Sequence, residues 1–359
     1  MSICTRTRSS HTWRWLLPAL VAAPVALFAQ GVTGVGFHAV RIHDPVNGGT
    51  MPGYVFYPSA QAKGTTNVGP YNLAATADAP PLVGAKPLVV ISHGHGGSDL
   101  GHHDLATYLA SHGFVVATLE HPRDNFHDTT GNGHAAVLAG RPIQVSATIT
   151  ALLNDPHWKS LIDPHRIGVA GFSAGGYTSL LLVGAMPRFD RFIGYCHRHP
   201  EDTDTCGLVK QLLARSGTTD ESMADYLAAI QDSLTQWGRT ADPRVKAAFV
   251  MAPLSLVFDS AGAAKIDRPV FLYYAEDDHV LLPPENALHI EPLIKTLAGV
   301  KMVPGAGHYV FLAPCSPELA REAADICTDP PGMNRVAVHA RIDADALAFF
   351  RKALNITAR

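Results

Sequence analysis

The stretch GVAGFSAGGYTSLLLVGA, residues 168–185, constrains the fold more than any other part of the chain. It begins with small and branched apolar residues typical of a buried strand and continues into a long apolar run. Between the two lies GFSAG, residues 171–175, in which glycines stand two before and two after Ser173. A corner between strand and helix strains the backbone, and the glycines remove side chains that would collide there. The pattern predicts that Ser173 projects from the carboxyl end of a strand.

The rest of the chain alternates strand-like and helix-like segments. PVNGGTMP, between the first two strands, suits a hairpin, whereas the later strands are near-continuous apolar runs separated by helical patterns. This order predicts an α/β fold, with a mostly parallel eight-stranded sheet and helices on both faces. Residues 61–86 are predicted to be a surface loop. The eight strand segments are FHAVRIHD, GYVFYPS, PLVVISHG, FVVATLEH, RIGVAGF, AAFVMAP, PVFLYYAE and VKMVPGAG.

The N-terminus has the pattern of a signal peptide, predicted over residues 1–29. Arg6, Arg8 and Arg14 precede the apolar stretch LLPALVAAPVALFA. A buried first helix is the alternative, but two prolines within that stretch disfavour it. Residues 30–359 are predicted to form a single domain, and residues 187–241, too long for a plain connection, an inserted lid.

Cysteine usage agrees with export. Removal of residues 1–29 leaves four cysteines, in CHRHPEDTDTC and CSPELAREAADIC. We predict disulfides Cys196–Cys206 and Cys315–Cys327, which close short polar loops as in oxidised secreted proteins. Zinc binding is the alternative, although neither pair has the spacing of a zinc knuckle. The expected location is periplasmic or secreted.

Charge limits the partners. The chain has 28 basic and 31 acidic side chains without blocks, a formal charge of -3, so neither nucleic acid nor acidic lipid is an expected partner. The N-terminal apolar stretch is too short to span a bilayer, and no cysteine follows it, so no stable membrane anchor is predicted. A small or polymeric neutral substrate is the expected partner, and the oligomeric state is left open.

A serine hydroxyl is a weak nucleophile unless a histidine takes its proton and a carboxylate orients that histidine. His308, in VPGAGHYVF, and Asp278, in AEDDHVLLP, follow later strands in the required chain order. We predict Ser173, Asp278 and His308 as a catalytic triad. Glu276 is the alternative acid, because three acidic residues are adjacent at that strand end.

An acyl-transfer site also needs donors for an oxyanion. We predict the backbone N–H groups of Ala174 and His95, the latter in the glycine-rich turn SHGHGGS. His93, His95, His102 and His103 could instead indicate a metal, but no carboxylate-and-histidine set with a recognisable zinc spacing accompanies them. No metal and no cofactor is predicted.

Taken together, five segments resemble a known family: PLVVISHGHGGS, LASHGFVVATLEHP, DPHRIGVAGFSAGGYTSL, DPRVKAAFVMAP and GAGHYVFLAPCS. They are similar to exported, serine-dependent dienelactone hydrolase-like α/β-hydrolases, related to platelet-activating-factor acetylhydrolase-type esterases. The resemblance covers roughly residues 36–355. It implies the α/β-hydrolase fold and carboxylic ester hydrolysis by Ser173, Asp278 and His308.

Two departures limit the resemblance. Dienelactone hydrolases proper use a cysteine where this chain has Ser173. The acetylhydrolases place their acid one strand earlier, where this chain reads VMAPLSL without a carboxylate. Dienelactone and phospholipids are therefore disfavoured as substrates.

The sequence leaves three functions open. The first is an exported serine esterase that acts through an acyl-enzyme on short to medium acyl esters, including polyesters. The second is a serine peptidase or amidase on the same fold. The third is a non-catalytic binding protein that retains the fold, which a complete triad disfavours.

Overall fold

The computed structural model describes most of the chain from residue 34 onward. The predicted signal peptide, apart from residues 1–2, and most of the predicted lid lie outside the described residues. Those two interpretations stay predictions. The described residues are 1–2, 34–60, 64–131, 134–202, 206, 228, 232, 235 and 240–356.

A nine-stranded sheet organises the chain, in the order β11-β10-β9-β8-β6-β7-β2-β1-β5. The run from β7 to β11 is parallel, whereas β2 pairs antiparallel with both β1 and β7. A second, two-stranded sheet pairs β3 with β4. The strands are β1 Gly34–His43, β2 Thr50–Ser59, β3 Thr66–Val68, β4 Tyr71–Leu73, β5 Thr76–Ala77, β6 Lys86–Ser92, β7 Val115–Leu119, β8 Ile162–Phe172, β9 Val245–Met251, β10 Val270–Ala275 and β11 Leu297–Val303.

The predicted mostly parallel α/β sheet is confirmed, and each of the eight predicted segments overlaps a strand of the large sheet. The count of eight is one short, because β5 adds a two-residue parallel edge to β1. The surface-loop prediction for residues 61–86 is wrong in part, since β3, β4 and β5 all lie there. These strands are two or three residues long, too short to give a readable alternation of apolar and polar residues.

Helices cover both faces of the sheet, as predicted. Among the helices of the described ranges, α3 and α10 are the longest, and a 3-10 helix, His308–Phe311, lies after β11. The helices whose bounds lie within the described residues are α1 His103–Ser111, α2 Ala135–Leu138, α3 Gly140–Asn154, α4 Ala174–Leu182, α5 Phe189–Arg198, α6 Ser260–Ala263, α7 Ala287–Ile290, α8 Pro317–Glu322, α9 Ala324–Cys327 and α10 Arg335–Ala353.

The core has one apolar layer on each face of the sheet. α3 and α4 contribute to one layer, and α1 and α10 to the other. The close approach of α10 to β8 depends on Gly168. A β-carbon there would lie 2.5 Å from the ring of Phe350, which is fully buried. The glycine thus lets an aromatic side chain pack directly on the strand that leads to Ser173.

Within the described residues, one helical stretch, Ala136–Asn154, has the length and mean hydropathy of a membrane span. More than half of it is buried inside the protein. Arg141, within this stretch, is fully buried and forms an ion pair with Asp124. Contacts with the central strands β6 and β7 and with α4 identify α3 as a core helix of the sheet face.

Both predicted disulfides are present. Cys196 and Cys206 are bonded with their α-carbons 5.5 Å apart, and Cys315 and Cys327 with theirs 5.9 Å apart. The second bridge begins four residues after the 3-10 helix and closes the loop that leads towards α10.

Candidate active site

Ser173 occupies a sharp turn between β8 and α4. Its φ of 56° and ψ of -116° place a non-glycine residue in a sparsely populated backbone region. Its N–H donates to the carbonyl of Met251, and its own carbonyl accepts from Leu254 and Tyr177. Such a backbone conformation costs about 1–3 kcal/mol and persists only where the surroundings over-determine it. The strained corner predicted from GFSAG is therefore present, and three backbone hydrogen bonds hold it.

The flanking glycines explain why the corner can form. A β-carbon on Gly171 would lie 2.0 Å from the carbonyl oxygen of Gly175. One on Gly175 would lie 1.8 Å from the carbonyl oxygen of Ser92, at the end of β6. Both distances are far below van der Waals contact, so any side chain at these positions would displace β6 or α4. The glycines let α4 begin against the neighbouring strand.

His308 and Asp278 are in direct contact. His308 Nδ1 lies 2.6 Å from Asp278 Oδ2, and the two side chains are 3% and 2% exposed. The other carboxylate oxygen of Asp278 accepts from the N–H groups of Val280 and Leu281, at 2.9 and 2.8 Å. These backbone donors fix the carboxylate, and the carboxylate then sets the orientation of the His308 ring.

Asp278 is the buried member of three adjacent acids. Asp277 is exposed, and its N–H donates to the carbonyl of Ala306. Glu276 is also exposed, and its carboxylate accepts from the N–H of Gly305 at 2.9 Å. Glu276 therefore braces the turn after β11, while Asp278 contacts His308.

The ring of Phe172, the residue before the serine, joins the two halves of the site. Its centroid lies 4.7 Å from that of His308 and 6.1 Å from that of Phe311. Phe172 is buried, so the histidine packs on the strand that carries Ser173. The structure thus brings the carboxyl ends of β8, β10 and β11 to one place, as expected for parallel neighbouring strands.

The glycine-rich turn after β6 passes beside Ser173. A β-carbon on Gly94 would lie 3.3 Å from the Ser173 β-carbon. His95 follows Gly94 directly, and Gly96 turns the chain with a φ of 61°. Ala174 is the first residue of α4, so its N–H has no acceptor within the helix. The two predicted oxyanion donors thus belong to segments that flank the serine.

A buried ion pair holds the turn in place. The imidazole Nδ1 of His95 contacts one carboxylate oxygen of Asp124, and Arg141 donates to the other. Arg141 also donates to the carbonyl of His93. Asp124 and Arg141 are each about 1% exposed at the side chain. Although burial alone would raise the pKa of Asp124, the Arg141 guanidinium lowers it below its usual range, so the carboxylate stays charged.

His93 and His121 form a neutral layer under this turn. His93 Nδ1 donates to the carbonyl of Gly94 at 2.6 Å, and its Nε2 accepts from the backbone N–H of His121 at 3.0 Å. Burial, and then the nearby Arg141 charge, lowers the pKa of His93 to about 3. The pKa of His121 is also well below its usual value, through burial and Arg141. The imidazole of His93 is thus a structural hydrogen-bonding group beneath the turn.

Among the described residues, a single group has side chains placed closely enough to hold a metal ion: Asp104, His339 and Asp343, with ligand atoms within 4.8 Å of one another. His339 Nδ1 lies 2.5 Å from Asp104 Oδ2. Two ligands of one tetrahedral zinc, bound at its usual distances, lie about 3.3 Å apart. The shorter contact fits a proton shared by an ion pair better than two ligands of one ion.

Three features of the site were missed in the sequence. Asp124 and Arg141 each lie far along the chain from the turn they hold, and a buried arginine in an apolar helix was the available signal. His339 lies in α10, a segment in which no functional residue was predicted. His339 contacts Asp104, more than two hundred residues earlier in the chain, and Val310, about thirty residues earlier. A local sequence pattern does not predict contacts between such distant residues.

Comparison with known proteins gives two findings. The model of the family described as platelet-activating factor acetylhydrolase, isoform II, matches residues 64–134, which include the glycine-rich turn. Among solved structures, a ferulic acid esterase from Streptomyces cinnamoneus aligns over 93% of this chain and 93% of its own, with a TM-score of 0.57 and 19% sequence identity. No curated protein matches this chain.

The sheet order, the serine turn and the structural match define an α/β-hydrolase fold. The family match confirms the resemblance to platelet-activating-factor acetylhydrolase-type esterases over residues 64–134. Both comparisons are with ester-hydrolysing proteins, and the chain is similar to them.

Proposed function

We propose that the protein is a serine-dependent carboxylic ester hydrolase with Ser173, His308 and Asp278 as its triad. The observation that carries the proposal is the combination of a strained serine turn with a buried His308–Asp278 pair packed against the same strand end. A buried carboxylate that accepts a hydrogen bond from the Nδ1–H of a histidine fixes the tautomer in which Nε2 is free to act as the base.

The arrangement supports an acyl-enzyme route. Ser173 Oγ attacks the ester carbonyl carbon while His308 Nε2 takes its proton. The carbon–oxygen bond to the alcohol then breaks, and the alcohol leaves with that proton. Water, deprotonated by His308, attacks the acyl-enzyme and releases the acid and Ser173. The N–H groups of Ala174 and His95 stabilise the oxyanion, each worth about 3 to 4 kcal/mol.

Short to medium acyl esters and polyesters are the proposed substrates, with an exported protein as the setting. The two disulfides and the similarity to platelet-activating-factor acetylhydrolase-type proteins are consistent with export. The similarity to a ferulic acid esterase favours an ester over an amide as the bond cleaved. Nitrophenyl esters of increasing chain length, compared with aminoacyl-nitroanilides, would separate esterase from peptidase.

The triad is tested by three substitutions. Ser173→Ala is expected to lower kcat by about 10⁶, and Asp278→Asn by about 10⁴, as in other triad enzymes. Glu276→Gln is the matched control, because Glu276 braces the neighbouring turn and is exposed. It is expected to retain near-native kcat. Loss of activity in Glu276→Gln with retention in Asp278→Asn would overturn the acid assignment.

A further inference from the structure

The 3-10 helix that carries His308 has a second anchor besides the contact with Asp278. His339, on α10, donates its Nε2–H to the backbone carbonyl of Val310 at 2.8 Å. Val310 lies two residues beyond His308 in the same short helix and is fully buried. Movement of the Val310 carbonyl would therefore move the backbone that carries the His308 ring.

The other nitrogen of His339 faces an acid. His339 Nδ1 lies 2.5 Å from Asp104 Oδ2, on α1. Because Nε2 donates to a carbonyl while Nδ1 approaches a carboxylate this closely, both nitrogens carry protons and the ring is an imidazolium. Both Asp104 side-chain oxygens are fully buried. The imidazolium is thus the group that balances the Asp104 charge.

Three further titratable groups face this pair. Asp343 lies one turn along α10, and burial, followed by the charge of Asp104, raises its pKa to about 8. His102 and His103 lie at the start of α1. Burial lowers the pKa of His102 to about 4 and lowers that of His103. At neutral pH these three groups are uncharged, which leaves one imidazolium and one carboxylate.

The charges of the pair support each other. Burial alone would lower the pKa of His339, but the Asp104 carboxylate outweighs burial and raises it. Burial alone would raise the pKa of Asp104, but the imidazolium lowers it. Removing one partner of such a pair leaves an uncompensated buried charge, which is strongly unfavourable.

We propose that His339 is a positioning residue for His308. Its imidazolium, ion-paired to Asp104, holds the Val310 carbonyl and so fixes the 3-10 helix that presents the catalytic ring. This inference rests on the proposed function, because it requires His308 to be the base. α1 begins shortly after the glycine-rich turn, so the same pair links the turn to the histidine segment.

The first test compares substitutions at two positions of α10. His339→Leu removes both contacts and is expected to lower kcat about ten- to a hundredfold with KM within about threefold, because a general base displaced by about 1 Å can lose a hundredfold in rate. His339→Gln keeps an amide N–H for Val310 and is expected to recover part of the loss. Asp343→Asn is the matched control and is expected to keep native kcat, since Asp343 is already neutral at pH 7.

The second test is a pH profile of Asp104→Asn. Without the carboxylate, the pKa of His339 falls, so the imidazolium is lost at lower pH. The kcat deficit of this variant relative to the wild type is expected to be small near pH 5 and to grow towards pH 8, the range across which an ordinary histidine loses its charge. A deficit that does not change with pH would overturn the role of the imidazolium.

A readout independent of turnover is the proton NMR resonance of the His308 Nδ1–H in the wild type and in folded variants. Loss or shift of this resonance in His339→Leu, with retention in Asp343→Asn, supports the inference. Native kcat and an unchanged resonance in folded His339→Leu would overturn it, as would equal damage in Asp343→Asn. If His339→Leu does not fold, kcat and the same resonance are measured in Asp104→Asn and His339→Gln instead. Native kcat and an unchanged resonance in both folded variants would overturn the inference. Activity retained by Ser173→Ala would instead refute the proposed function and leave the resonance result standing.

Discussion

Replacement of Asp343 by asparagine is expected to stabilise the protein. The Asp343 side chain on α10 is 7% exposed, and its Oδ1 has no hydrogen-bond partner in the part of the chain that the structure describes. Burial and the neighbouring Asp104 charge raise its pKa from 3.8 to about 8. The native state therefore keeps a proton on Asp343 at pH 7, whereas the unfolded chain releases it. Asparagine has a similar shape and no proton to take up.

The magnitude follows from the difference in pKa. Each unit corresponds to about 1.4 kcal/mol, so the three units between the ordinary pKa of 3.8 and pH 7 give about 4 kcal/mol. Because the pKa of Asp343 is higher in the folded state than in the unfolded state, its ionisation lowers the free energy of unfolding as the pH rises. Below pH 3.8 both states are protonated and the Asp343 ionisation has no effect on stability. The destabilisation then grows with pH until about pH 8, above which it is constant.

The assay is the free energy of unfolding in urea at pH values from 4 to 9, for the wild type and Asp343→Asn. The gain of the variant should increase by about 1.4 kcal/mol per pH unit up to about pH 8. Asp345→Asn, on the same helix, is the control. Asp345 binds Lys301 and Tyr273, so its loss should destabilise without producing the same slope. A gain independent of pH in Asp343→Asn would refute the reasoning.

Two further predictions concern acid stability and the second disulfide. Because the folded pKa of His93 is about 3, below its usual 6.5, the unfolding free energy should fall by about 1.4 kcal/mol per pH unit from pH 6.5 towards 3 through this group. His93→Asn should flatten the slope measured in urea, and an unchanged slope would contradict the assignment. Replacing Cys315 and Cys327 by serine should lower the unfolding free energy by about 3 kcal/mol, from the loop closed by the bridge. In the folded double variant kcat should stay near native, because His339 and Gly101 hold the preceding segment independently, and a large loss of kcat would show that the bridge positions the site.

The sequence was informative wherever structure depends on neighbours in the chain. Apolar runs locate all eight long strands, and the glycines of GFSAG locate the strained serine, because hydrophobic periodicity and steric collision act within a few residues. The two short polar loops likewise indicate the disulfides, since close spacing limits where a cysteine can find a partner.

The tertiary structure determines which of several chemically similar side chains takes part in the candidate site and which of them are charged. Glu276 and Asp278 are both carboxylic acids at the same strand end. The backbone after β10 buries Asp278 against His308 and leaves Glu276 exposed. The sequence does not distinguish one histidine from another. In the folded protein, burial lowers the pKa of His93 and keeps it neutral, whereas the Asp104 carboxylate raises the pKa of His339 and keeps it charged. The physical reason is that desolvation and charge pairing depend on groups brought together from distant segments. The sequence by itself therefore determined the sheet and the serine turn, and the packing of α1 and α10 decided the charges around the histidine segment.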